Sequence, residues 1–179
     1  MPPDMTRDTV LVGSIEDRGP NEFALYTFHA DFANGVFALS DPTIINVDSF
    51  TDLCNLGACV ASWVRASSWL LFRGIFMYRG GYRWNNGIES LVLNHSINTD
   101  MGGGGIRWYE IRDPNASPWV FQSGTYAPDP TEFRWMGSIA MDSMGDICVG
   151  YSVSSGAIHP ATRYRQSLGR LQQPGARSR

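Results

Sequence analysis

The segment Gly81 to Arg107 recurs without a gap as Gly137 to Arg163, about 56 positions later, and a repeat of that period means one supersecondary unit used more than once. Gly81 matches Gly137, Leu91 matches Ile147, Ser96 matches Ser152 and Arg107 matches Arg163, while Trp108 finds a second large aromatic in Tyr164. Each copy has the same order of parts. A glycine-bearing turn leads into a short apolar run ending in serine (Leu91 to Ser96; Ile147 to Ser152), followed by a glycine-rich connection and an Arg-aromatic run. Apolar runs of this length between turn formers are strands, so the unit is a β-sheet.

Upstream, Thr9 to Ile15 predicts a strand and Glu16 to Asn21 a turn. The aromatic-rich run Phe23 to Phe32 predicts a second strand, and Val36 to Leu39 a third, ahead of Asp41-Pro42. These pieces read as a weaker copy of the unit roughly one period earlier, which makes about three units. Glycine, proline, serine and asparagine are spread along the whole chain and long runs of helix formers are absent. The expected fold is all-β, a partial β-propeller-like array of antiparallel sheets. Ring closure takes about four to eight blades. Residues 1–167 are therefore expected to form an incomplete propeller-like domain, a fragment of a larger propeller, with an uncovered sheet face that makes the isolated chain associate. The polar run 168–179 predicts a disordered tail.

The net charge of −3 argues against a phosphate backbone or an anionic membrane as partner. There is no lysine, so the cations are arginines, which favour stacking on rings and forked bonds to carboxylates. Met1 to Asp8 has neither the apolar core nor the cleavage site of a secretory signal, which leaves a cytosolic protein or a start further upstream. The most hydrophobic stretch, Val60 to Tyr78, contains Arg65 and Arg73 and reads as a core segment, with no membrane span expected. Cys54 and Cys59 are close enough to close a small loop and are the disulfide candidates, in an oxidising compartment. As zinc ligands they are too few. Cys148, within an apolar strand, is expected to be buried and unpaired.

Few residues carry chemistry. Met101 to Gly105 lacks the lysine and Ser/Thr of a phosphate loop and leads into a strand, so it reads as a flexible connection. His29, His95 and His159 are not at ligand spacing, and Ser123 and Ser152 lie in no nucleophile-elbow pattern. The turn Asp142 to Ile147 reads as structural, its aspartate capping amides of its own turn; two carboxylates do not fill a calcium shell. No metal and no cofactor is expected. What remains is a set of rings and arginines suited to stacking against a sugar and bonding its hydroxyls: Trp84, Trp119 and Tyr126 with Arg107, Arg134 and Arg163. Trp108 and Trp135, inside strand patterns, are expected to fill space between sheets.

The strings Glu89 to Ser96, Gly105 to Glu110, Gln122 to Asp129 and Arg134 to Asp142, with Gly150-Tyr151-Ser152, resemble a family of large secreted bacterial proteins of uncharacterised function. Those proteins carry propeller-like repeats similar in style to sialidase-type repeats. The resemblance covers Phe76 to Tyr164 and Phe23 to Cys59 and fails between Ala61 and Ile75, where this chain has Trp63, Trp69, Leu70, Leu71 and Phe72. It implies a secreted or cell-surface parent protein, whose remaining blades would be a partner of this segment, and it carries no catalytic residues across. Sialidases hold a carboxylate with an arginine cluster and use a tyrosine nucleophile. Here Arg107, Arg134, Arg163, Tyr109, Tyr164, Glu110 and Asp142 match in type, but stacking and ion pairing at equivalent repeat positions explain the arginines as well. The expected function is a noncatalytic module binding carbohydrate or protein; the alternative is a fragment of a sialidase-like glycoside hydrolase.

Overall fold

Strand-forming runs separated by turn formers give eleven strands and no helix in a computed structural model that describes residues 8–13, 21–53, 76–78, 80–85 and 87–166. The Cys54 and Cys59 pair, Ala61 to Ile75 and the tail 168–179 lie outside the described residues. The strands form three antiparallel sheets, in chain order. No helix among the described residues is long and apolar enough to cross a membrane.

The first sheet holds β1 (Thr9–Gly13), β2 (Glu22–Asp31), β3 (Val36–Leu39) and β4 (Thr43–Asn46). β1 pairs along one edge of β2, while β3 and β4 lie end to end on the other, interrupted at Ser40-Asp41-Pro42. Proline has no N–H for a ladder. Ser40 bridges the gap: its amide donates to the Thr27 carbonyl (2.9 Å) and its hydroxyl accepts the Thr27 amide (2.9 Å). The middle sheet is β5 (Gly81–Asn85), β6 (Ile88–Asn98), β7 (Gly104–Arg112) and β8 (Trp119–Tyr126); the last is β9 (Phe133–Met141), β10 (Ile147–Ser154) and β11 (Ala161–Gln166).

The sheets stack, and the middle one is covered on both faces. Leu91, Leu93, Tyr109 and Ile111 pack against Phe23, Leu25 and Ile45 of the first sheet, joined by Val10, Val12 and Phe76. On the reverse face, Val92, Trp108 and Ile106 meet Ile139, Met141, Ile147, Val149, Tyr151 and Val153 of the last sheet. That double burial is why Leu91-Val92-Leu93 is continuously apolar instead of alternating. Phe76, at the described end of the hydrophobic stretch, does belong to the core. Each fully buried side chain of this size contributes about 2 kcal/mol.

The repeat is preserved in the second hairpin of each copy. Val92 lies opposite Glu110, Ser96 opposite Ile106 and Ile97 opposite Gly105; their counterparts Cys148, Ser152 and Val153 lie opposite Gln166, Thr162 and Ala161, the partners that the repeat shift demands. Faces are preserved too. Leu91 and Leu93 point at the preceding sheet, as do Ile147 and Val149. The first hairpin departs from the repeat: Gly81 opposes Val92, but Ala140, not Gly137, opposes Cys148. The turn between β9 and β10 spans 142–146, where that between β5 and β6 spans only 86–87, and the longer turn slides β9 by three positions. An odd slip reverses which face a residue occupies. Gly81 and Gly137 therefore line the same junction from opposite sides. A Cβ on Gly81 would approach Ala140 and Ile139 at 3.7 Å, and one on Gly137 would stand 3.1 Å from Ile106 and still nearer Asn94.

Strands do not sit like over like at this junction. β9 lies chiefly across β6 and β7, and β10 meets β7 and β8 through Ile106 and Tyr126, so the last sheet is displaced by about one strand. β11 overhangs, and all six of its residues are exposed.

Three details correct the sequence reading. Cys148 is unpaired, but half-buried rather than buried: it lies on the outward face of the last sheet, opposite Ala140 and Gln166, while its neighbours Ile147 and Val149 take the inward face. Of the two strand tryptophans, Trp108 is buried between sheets, whereas Trp135 lies opposite the outward-facing Ser152 and is only half-buried. The loop Met101 to Gly105 is docked, with the Gly103 and Gly104 amides donating to the carbonyls of Pro130 (3.0 Å) and Glu132 (3.0 Å). The Asp142 turn is as expected, its carboxylate accepting the amides of Met144 (2.8 Å) and Asp146 (2.9 Å).

Candidate functional site

Pairing places the six candidate side chains in four separate locations. Trp84 and Trp119 share one end of the middle sheet but lie on opposite edges and faces: Trp84 opposes Glu89 on the side of the first sheet, and Trp119 opposes Arg112 on the side of the last. Arg107 lies at the other end, facing the first sheet. Tyr126, Arg134 and Arg163 come together around Tyr151. The Tyr126 and Tyr151 rings are 5.5 Å apart, the Arg134 guanidinium is 5.9 Å from the Tyr126 ring, and Arg163 lies across the strand pair from Tyr151.

Arg134 is almost fully buried and its guanidinium is committed. It donates to the Asp129 carbonyl at 2.7 Å and to the Glu132 carboxylate. Burial and the bond to Tyr126 both raise the Tyr151 hydroxyl above its ordinary pKa. Asp129 shapes the adjoining loop, its carboxylate held below the usual range chiefly by the Thr131 hydroxyl (2.7 Å) and then by the Thr131 amide (2.9 Å). Arg163 and the rest of β11 are open to solvent.

Arg107 anchors a polar network inside the first junction. It donates to Asp48 (3.0 Å) and Thr125 (3.1 Å), and its guanidinium is 5.5 Å from the Tyr109 ring centroid. Tyr109 and His95 share a hydrogen bond of 3.0 Å and are enclosed with Phe50 and Phe76. Burial, then the charge of Arg107, drives the His95 pKa down to about 3, and burial raises Tyr109 to about 12. Both groups are thus neutral across the physiological range, poorly matched to moving protons there and well matched to packing. The network was invisible in the sequence because Asp48 belongs to a loop and His95 meets Arg107 only through strand register.

An open aromatic arrangement flanked by an arginine surrounds Trp119. Register shifts between Glu110 and Ile111, so that Phe121 is an extra residue on β8, a β-bulge. Trp119 (52% exposed) and Phe121 (39%) meet edge to face at 5.6 Å, and the Arg112 guanidinium lies 4.1 Å from the Phe121 ring. Arg112 is held by Glu110 (2.5 Å), which is itself buried and accepts from Gln122 at 2.6 Å. A sheet-borne carboxylate thus fixes the arginine, which fixes the ring. Sequence reasoning found Trp119 but not Phe121 or Arg112; the bulge that brings them together has no local signature beyond the pairing itself.

Among the described residues, no three His, Cys, Asp or Glu side chains converge as a metal-binding group. No family model, curated protein or solved structure matches the chain.

Proposed function

We propose that this chain is a noncatalytic, propeller-like module of a secreted or surface protein, binding carbohydrate or protein, in the style of the secreted bacterial repeat proteins it resembles. The observation that supports this most is the exposed ledge of Trp119 and Phe121 with Arg112 alongside. An exposed ring face takes the C–H face of a sugar by stacking, and a guanidinium beside it bonds hydroxyls or a carboxylate. Because Arg112 is fixed by Glu110, little ordering entropy opposes binding. The arginines that a sialidase would gather around one carboxylate are divided here between sheets, Arg107 on the middle sheet and Arg134 and Arg163 on the last, and Arg107 and Arg134 already have partners.

A glycan array probed with the purified chain is expected to give saturable binding to at least one glycan. Trp119→Ala should then weaken binding by roughly tenfold or more, with Arg163→Ala leaving it unchanged. No bound glycan, or equal binding by the tryptophan variant, would remove the carbohydrate reading. Turnover of a fluorogenic sialoside would overturn the noncatalytic one.

A further inference from the structure

At both internal junctions a sheet lays one apolar face on the reverse face of the sheet before it. Leu91, Leu93, Tyr109 and Ile111 meet the first sheet, and Ile147, Val149 and Tyr151 meet the middle one. The two ends of the stack hold the unmatched halves of such a junction. On the first sheet, register places Leu11 with Tyr26, Phe28 with Leu39 and Ala30 with Phe37 on the face turned away from the middle sheet. Leu11, Phe37 and Leu39 are 46%, 57% and 58% exposed. On the last sheet, the outward face carries Ala140, Cys148, Gly150 and Ser152 with two rings, Trp135 and Tyr164. Tyr164 is 76% exposed, whereas its repeat counterpart Trp108, on the equivalent face of the middle sheet, is 6% exposed beneath the last sheet. None of these side chains is charged.

We infer that copies of this chain associate head to tail, the outer face of the first sheet of one molecule docking on the outer face of the last sheet of the next. The contact continues the internal junctions in both directions of stacking: the last sheet keeps free the face that the middle sheet gives to its successor, the first sheet keeps free an apolar face for a predecessor, and a second copy is the occupant that carries both. The two faces differ, so the association is heterologous, and a copy blocked on one face keeps the other available. The inference is independent of any glycan site, since Trp119 and Phe121 lie on the middle sheet.

Two variants test it. Phe37→Asp blocks only the first-sheet face and Tyr164→Asp only the last-sheet face; both positions are more than half exposed, so neither change disturbs the core, which circular dichroism and a thermal melt will verify. In sedimentation equilibrium, the mean mass of the wild-type chain is expected to rise with concentration, while each variant alone stays at monomer mass. An equal mixture of the variants should form a species of twice the monomer mass that grows no further, because each supplies the one face the other has kept. A wild-type chain that stays monomeric to its solubility limit overturns the inference, including the case in which the faces are filled by further blades of a longer parent protein. So does a Tyr164→Asp variant that associates as well as wild type, which would show like faces pairing, and so does a mixture that remains monomeric.

Discussion

Lowering the pH from 6.5 to 3 is expected to destabilise the fold by about 4 kcal/mol through His95 alone. Its imidazole is fully enclosed, and burial followed by the Arg107 charge holds its pKa at about 3. The unfolded chain therefore takes up a proton near pH 6.5 that the folded chain refuses until about pH 3, and within that window the unfolded state binds more protons, so stability falls as pH falls. Above pH 6.5 the contribution is complete and flat. Denaturation by urea, followed by tryptophan fluorescence at a series of pH values, measures the slope. His95→Phe retains a ring among Phe50, Phe76 and Tyr109 and has nothing to titrate, so its profile should be markedly flatter than wild type between pH 6.5 and 3. Equal slopes would mean that acid sensitivity resides elsewhere, for instance in the turn aspartates Asp31 and Asp129, whose carboxyls are lowered chiefly by bonds from Asn34 and Thr131.

Gly103→Ala is expected to cost about 3 kcal/mol, lowering the melting temperature by roughly 10 °C in a chain of this size. A Cβ at this position would stand 2.6 Å from the Glu132 carbonyl oxygen and 2.8 Å from the Thr131 carbonyl carbon, with the Pro130 carbonyl nearer still. These are backbone atoms, which cannot swing aside as a side-chain tip can. Nor is the facing loop free to retreat. Pro130 also accepts from the Thr99 hydroxyl (2.5 Å), and Glu132 holds the buried Arg134. Relief of the clash therefore loosens the bond between the β6–β7 hairpin and the start of the last sheet. Gly156→Ala is the matched control, because a Cβ there meets open space, and its melting temperature should be unchanged. Two variants that melt together would show that the loop yields more easily than its bonding suggests.

The repeated units, their order and most strand positions were legible because a strand with fixed pairing preserves its spacing: Leu91 to Ser96 and Ile147 to Ser152 are both extended, and their second hairpins share one register. Which face each residue takes was not legible. That depends on turn length, and the longer turn before Ile147 moved Gly137 to the face opposite the one its match suggested. Cys148 was misplaced for a related reason. An apolar triplet such as Ile147-Cys148-Val149 is compatible with cover on both sides, and only the presence of a further sheet decides whether that cover exists. The candidate arginines show the same limit. Arg107 and Arg163 match in the repeat, yet one is clasped by Asp48 within a junction and the other stands on an overhanging strand.

That overhang has a geometric consequence. A sheet set one strand across from its predecessor moves sideways by about 4.8 Å, the spacing between hydrogen-bonded strands. The displacement between the middle and last sheets thus leaves β11 an uncovered edge strand, its free backbone N–H and C=O groups running along a row of six exposed side chains, a place where another strand can pair.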